Sequence, residues 1–299
     1  LQAAAYQHLF FILLISFAAY GLVPGIGAFV VRSRWRKFRR LLMASAFYRE
    51  PDYSLLHSET YGSLGSYRFY GTLRALQGDG TVWLGSSSLS LKADLKGVPI
   101  YILPHPSAEQ SVPSEVSWQR IHTLPEGTRI FLAGELFLHR TGAVFRSGDE
   151  LSLIAIVYEE PDEGLLAHAV SAGRERNEYW NHLTPGALTA GSFSLFIYFY
   201  VLLRWPMLRL PALSALTASL LPVAPILPPA LIGYSIYRSL WKRGRALRAE
   251  RDLLRLKQHM WRHKEREAVR LEIAALLVLG LSTLLELVML FSLFSAIIR

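Results

Sequence analysis

A chain of 299 residues with 52% hydrophobic residues, 18% charged residues and a mean hydropathy of +0.26 carries more apolar side chain than a soluble protein of ordinary composition. Its formal charge of +9 does not mark a nucleic-acid binder. Residues 41–185 hold 11 Lys and Arg against 17 Asp and Glu, a net of −6, so the basic excess lies outside the part that would have to track phosphates. Cysteine is absent, which excludes disulfides, cysteine-ligated zinc, iron–sulfur clusters and thiol nucleophiles within this sequence.

Residues 8–31 form the first apolar run, long enough for a helix across a ~30 Å hydrocarbon layer. The segment 32–47 follows and begins RSRWRKFRR, whereas residues 1–7 carry no formal charge. A cleavable leader has its basic part in front of the apolar stretch, so this order predicts an uncleaved anchor with its N-terminus outside and Arg32 to Arg40 in the cytoplasm.

Residues 48–160 read as β-structure. Short runs rich in β-branched and aromatic residues, among them YRFYGTLRAL, TVWLG, VPIYIL, TRIFLAGELFLHR and LSLIAIVY, are separated by Gly, Pro and Asp signals. Six to eight strands closed into a small barrel or sandwich are expected, interrupted by a Pro- and Ser-rich loop at 104–115. Residues 161–185 return to helical spacing and lead into a second span at 186–203.

A tight RWPMLRLP turn then brings the chain back through a third span at 212–237, in which Pro222, Pro225, Pro228 and Pro229 break the helical ladder. A kinked crossing is expected, with a re-entrant hairpin as the alternative. Residues 238–270 follow as a basic amphipathic helix on which Leu240, Leu247, Leu254 and Trp261 recur every seven residues, suited to anionic headgroups or a partner helix. The fourth span occupies 271–298. Both strongly basic segments then fall on one side, which places the β-domain in the cytoplasm and both termini outside, in a bacterial inner membrane. The expected fold class is thus an α+β membrane protein: four transmembrane helices with an inserted all-β soluble domain, a small barrel or OB-like module.

Three groups of residues invite a chemical reading. Around GRERNEYWNHLTP, Arg174, Glu175, Arg176, Glu178, Trp180 and His182 pack paired polar groups at helical spacing with rings suited to the headgroup layer. They read as a juxtamembrane strut and partner-contact surface, with a metal or acid–base cluster of Glu175, Glu178 and His182 as the alternative. His259, His263 and Glu267, at intervals of four, would bring two imidazoles and a carboxylate to one helical face, but within an electropositive surround that opposes a divalent cation.

Glu286 sits inside an otherwise apolar span, where a charge costs about 3 kcal/mol on insertion scales, so it faces a bundle interior, a wet cavity or a partner. It either bonds to a neighbouring helix through Ser214, Thr217 or Ser219 or to another copy, or joins Pro222 and Pro225 of the broken span in an ion or substrate path.

Catalytic signatures are missing: no Gly-x-Ser-x-Gly elbow, no His-Glu-x-x-His, no phosphate-cradling loop and no dinucleotide fingerprint, and His105 with Ser107 lacks a third member. No catalytic residue, metal ligand or cofactor is assigned.

The stretch WQRIHTLPEGTRIFLAGELFLHRTG, followed by strands and a membrane helix, resembles the membrane-anchored β-domain of the GIDE family over about residues 98–203, and the small OB-type barrels of NfeD-like membrane proteins as an alternative. The resemblance implies a β-domain tethered between spans and used for interaction. Ubiquitin-ligase members of the first family carry a cysteine-ligated RING, so that activity is not implied for a sequence without cysteine. The function expected is non-enzymatic: a scaffold or accessory subunit that contacts lipids and protein partners or further copies of itself, with a transport component or a metal-dependent membrane enzyme as alternatives.

Overall fold

The computed structural model describes residues 2–298 except 57–60, 78, 88, 106–111, 141, 149–151 and 176–180. Its helices are α1 (Gln2–Phe17), α2 (Val23–Ser45), joined to α1 by a π-turn at Ala18–Leu22, and α3 (Tyr53–Leu56). The strands β1 (Gly62–Leu76), β2 (Thr81–Gly85), β3 (Ser90–Asp94), β4 (Ile100–Ile102), β5 (Ser114–Val116), β6 (Arg129–His139), β7 (Gly142–Arg146) and β8 (Ile154–Tyr158) follow. Then come α4 (Asp162–Glu175), α5 (Thr184–Leu203), α6 (Arg209–Ser219), α7 (Ala230–Leu256) and α8 (Arg262–Ile297). The chain forms two compact units, one of residues 1–34, 177–247 and 262–299, the other of 35–176 and 248–261.

Three helices among the described residues are long and apolar enough to cross a membrane: Gln7–Ser45, Thr184–Leu203 and Arg262–Ile297. The fourth expected span, 212–237, is not one helix. Ala218 and Leu221 would normally accept from residues 222 and 225, which as prolines have no N–H to give. Accordingly α6 stops at Ser219, a short turn occupies Ala224–Ile226, and α7 starts only after the cis Pro228–Pro229 pair.

Side chains fix how these helices meet. Ser16 donates to Ser194 at 2.9 Å, and the hydroxyls of Tyr20 and Ser192 are also 2.9 Å apart, so α5 runs antiparallel to the α1–α2 rod. Tyr20 donates further to the Ala218 and Ser219 carbonyls at the end of α6, both at 3.3 Å. Two glycines of α7 lie against α8: a Cβ on Gly233 would strike Ser282, and one on Gly244 would lie 3.1 Å from Glu272 Cγ. Pairing 233 with 282 and 244 with 272 sets these two helices antiparallel.

The expected single amphipathic helix over 238–270 is also corrected. It is two pieces, the end of α7 and the start of α8, with a sharp stop between them. Gln258 adopts φ 56°, its N–H bonds to the Arg255 carbonyl at 3.2 Å, and His259 N–H reaches back to Leu254 at 2.9 Å. This is the left-handed helix ending usually built on glycine. Leu254 and Trp261 therefore do not share a continuous helical face.

The second unit is built on an eight-stranded mixed sheet in the order β1-β2-β3-β7-β6-β8-β4-β5, and β1 pairs with β6 as well. That extra pairing, from Gly62↔Leu138 to Thr72↔Arg129, closes β1, β2, β3, β7 and β6 into a five-stranded ring. β3 and β7 are parallel within it, while the other ring pairs are antiparallel. β6 can serve three partners because its outer edge is divided: residues 129–133 pair with β8 and 135–139 with β7. β4 and β5 extend the sheet beyond β8.

Alternating residues fill the ring. Phe69, Leu73, Val82, Leu84, Leu91, Ala93, Leu132, Leu136 and Phe145 form one buried cluster, each large member worth roughly 1.5–3 kcal/mol of burial. At Gly71 a Cβ would lie 2.6 Å from the ring of Phe69, two residues earlier on the same strand, and 3.1 Å from Leu84 Cβ of β2. Beside the ring, α4 carries Asp162 and Glu163 in its first turn and Arg174 in its last, each end matching the helix dipole.

Candidate functional site

In the first unit, Glu286 is only 3% exposed. It lies on the same stripe of α8 as Ala268 and Ala275, the other buried residues of that helix, since steps of 7 and 11 residues return to one helical face. This stripe is the one that meets Ser282's partner Gly233. One turn from Ser282 toward the C-terminus is Glu286, and one turn from Gly233 toward the N-terminus is Pro229, so the register sets the carboxyl level with the start of α7. α8 also packs against α6 and the Ala224–Ile226 turn of the proline-broken segment.

The hydroxyls expected to hold Glu286 are otherwise engaged. Ser214, Thr217 and Ser219 each donate to their own helix, to Leu210, Leu213 and Leu216 at 3.0, 2.9 and 2.7 Å. Glu286 Oε2 is buried without a hydrogen-bond partner. Pro225 lies in the turn that packs against α8, and none of the three predicted hydroxyls bonds to Glu286.

In the second unit, Arg174, expected from the sequence in a juxtamembrane strut and partner-contact surface, has its side chain only 12% exposed. Its Nε and Nη2 donate to Asp252 Oδ2 at 2.8 and 2.5 Å, while Arg251 takes Oδ1 at 2.9 and 2.5 Å. Arg39 donates to the Gly173 carbonyl next to Arg174 at 3.3 Å. Burial lowers the Arg174 pKa, opposed by the Asp252 carboxylate and assisted by Arg39 and Arg251. The neighbouring aromatic contact is equally dense: Phe38 lies 4.3 Å from the Tyr101 ring and Trp35 lies 5.3 Å from Phe38.

The remaining predicted positions are dispersed. Glu175 ends α4, and its side chain lies outside the described residues, as do Arg176, Glu178, Trp180 and Ser107. His182 is exposed, whereas its neighbour Asn181 is buried and accepts the Leu183 N–H at 2.9 Å. His259 falls in the turn after α7 and His263 in α8, where it lies 3.8 Å from Glu267, so the three do not share one helical face. Among the described residues, no group of three His, Asp or Glu is placed to hold a metal ion.

Two features of the second unit escape sequence reading. Glu160 and His168 Nδ1 are 2.6 Å apart in a largely buried pair that braces the start of α4. A cleft of about 630 Å³ is lined by Glu50, Arg68, Tyr70, Ser86, Asp162 and Glu163 among others. Arg68 bonds to Glu50 there at 3.3 Å and to the Ala46 carbonyl at 3.0 Å. No motif marks these residues, because strand pairing and the entry to α4 bring them together.

Compared with family models, curated proteins and solved structures, the chain matches none.

Proposed function

We propose that this chain is a non-enzymatic integral membrane protein, a scaffold or accessory subunit of a membrane complex, with its barrel as a docking module on the cytoplasmic side. The observation that carries this reading is the filled ring. Leu84, Leu91, Leu132, Leu136 and Phe145 occupy the interior, so the module's contacts are made on its outside. Outward side chains on β2 and β3 offer an aromatic and a cation in register, Trp83 with the Lys92 ammonium 4.6 Å above its ring. The closed ring of five strands is also what an OB-like module of the NfeD kind would have, and that likeness supports an interaction role.

Support comes too from the way the second unit incorporates the end of α2 and the end of α7, through the Trp35–Phe38–Tyr101 cluster and the Arg174–Asp252 pair. A docking module needs such bracing to hold a partner in one place. The test is the mass of the particle extracted from its native membrane in mild detergent. A stoichiometric assembly larger than one chain, lost on substituting Trp83 and Lys92 together while the fold persists, is the expected result. A monomer that turns over a substrate or moves a solute unaided would end the proposal.

A further inference from the structure

The membrane-spanning unit contains a carboxyl group with no evident counter-charge. Residues 210–233 contain no ionisable side chain, and Glu286 is the only one in 273–298. On the elements packed around it the nearest are Arg209, at the beginning of α6, and Tyr234 and Arg238, further along α7. At 3% exposure, neither a lipid headgroup nor a side chain from another protein reaches Glu286 in this conformation. An uncompensated carboxylate in such surroundings is costly, so what neutralises it must be small enough to enter a packed interior.

The neighbouring segment offers the complementary ligands. The carbonyl of Pro222 would look to residues 225 and 226, but 225 is proline and the Ile226 N–H is bonded to Val223 at 3.0 Å. The carbonyl of Pro225 faces prolines at both 228 and 229. For Leu221, residue 225 is proline and the Ala224 N–H goes to Leu220 at 2.9 Å. Three carbonyls of the break, those of Leu221, Pro222 and Pro225, are thereby left without a backbone donor, while those of Val223 and Ala224 between them accept from Ile226 and Leu227, in a segment packed on the same helix as Glu286.

We propose that Glu286 and the carbonyl oxygens of Leu221, Pro222 and Pro225 form a binding site for a sodium ion. Oxygen ligands from unwound backbone next to one intramembrane carboxylate suit a hard cation, and occupancy removes the charge that burial penalises. The site belongs to the spanning unit and does not depend on the docking role of the barrel.

The experiment is thermal unfolding of the purified full chain in detergent, in sodium chloride and in choline chloride at equal ionic strength. The wild-type protein is expected to gain about 2–4 °C in Tm from sodium, and Glu286→Gln is expected to lose that gain. Equal responses of wild type and Glu286→Gln to sodium overturn the proposal. Should Glu286→Gln fail to fold, dicyclohexylcarbodiimide modification of the wild-type peptide containing Glu286 replaces it. Modification slowed at least about tenfold by sodium supports the site; a rate that sodium leaves unchanged, or no modification at all, refutes it.

Discussion

Arg174 donates two hydrogen bonds to one carboxylate oxygen of Asp252, at 2.8 and 2.5 Å, across a separation of 78 residues. Arg251 occupies the other oxygen, and the three side chains are 12%, 7% and 14% exposed. One acid therefore joins the last turn of α4 to the last turns of α7 within the barrel unit.

Because that acid is shared by two largely buried guanidinium groups, Asp252→Ala takes its carboxylate away from both. Loss of one partner from a buried pair costs about 3–5 kcal/mol, and the same is expected here. Urea unfolding followed by tryptophan fluorescence checks it. The double variant Arg174→Ala with Asp252→Ala should fall well short of the sum of the two single effects, because the second substitution removes a charge already stranded.

Gly173 leaves room for an aromatic ring. A Cβ there would sit 2.9 Å from Phe38 Cε1, and Phe38 is fully buried against Tyr101. Gly173→Val is expected to destabilise the unit by about 1–3 kcal/mol through overpacking, and Phe38→Ala by about 3–5 kcal/mol through the cavity it leaves. Each is measured as a shift in the urea midpoint, and combining them should recover part of the Gly173→Val loss.

The Tyr158 hydroxyl donates to Asp162 Oδ1 at 2.6 Å. Burial first, then this hydrogen bond and the charge of Asp162, raise its pKa above the ordinary phenol value, with Arg129 opposing. The neutral phenol is thus favoured in the folded state. Its contribution is fully present below about pH 10, the unfolded value, and is lost as the pH rises toward the folded one. Stability measured from pH 8 to 11 should therefore fall less steeply in Tyr158→Phe than in the wild type. Parallel curves would show that Tyr158 carries no share of the alkaline loss.

Gln258 holds φ 56° at the end of α7, a conformation that costs a side-chain-bearing residue free energy and costs glycine almost nothing. Gln258→Gly is expected to raise stability by about 0.5–1 kcal/mol and Gln258→Val to lower it, read in the same unfolding assay. This position also shows why the sequence misleads here. Leucines spaced by seven up to Trp261 continue the pattern of a helix, and no glycine announces the stop.

Other parts were legible for identifiable reasons. Residues 62–158 alternate apolar and polar residues between turn signals, so strands were readable, while closure of the ring was not, since β1 and β6 pair across a long stretch of chain. The basic segment after the first apolar run reads as a charge patch. Within it Trp35, Phe38, Leu42 and Ser45 recur at three and four residues, a helical face that marks the continuation of α2 into the barrel unit. Counting apolar residues gave four spans because hydropathy ignores missing donors. Read for their missing N–H groups, the prolines of 222–229 mark a gap rather than a bend. Glu286 stood out in the sequence as a lone charge, whereas its lack of a partner depends on hydroxyls that bond within their own helix.

The proposal that the barrel docks partners in the cytoplasm is tested most directly by sidedness, and a sequence without cysteine gives a clean background for it. Single cysteines at the exposed positions Asp79, in the β1–β2 turn, and Met207, in the turn after α5, are to be treated with a membrane-impermeant maleimide on intact cells and after permeabilisation. Labelling of Met207→Cys on intact cells, with Asp79→Cys reached only after permeabilisation, is the predicted result. Labelling of Asp79→Cys on intact cells would contradict the account.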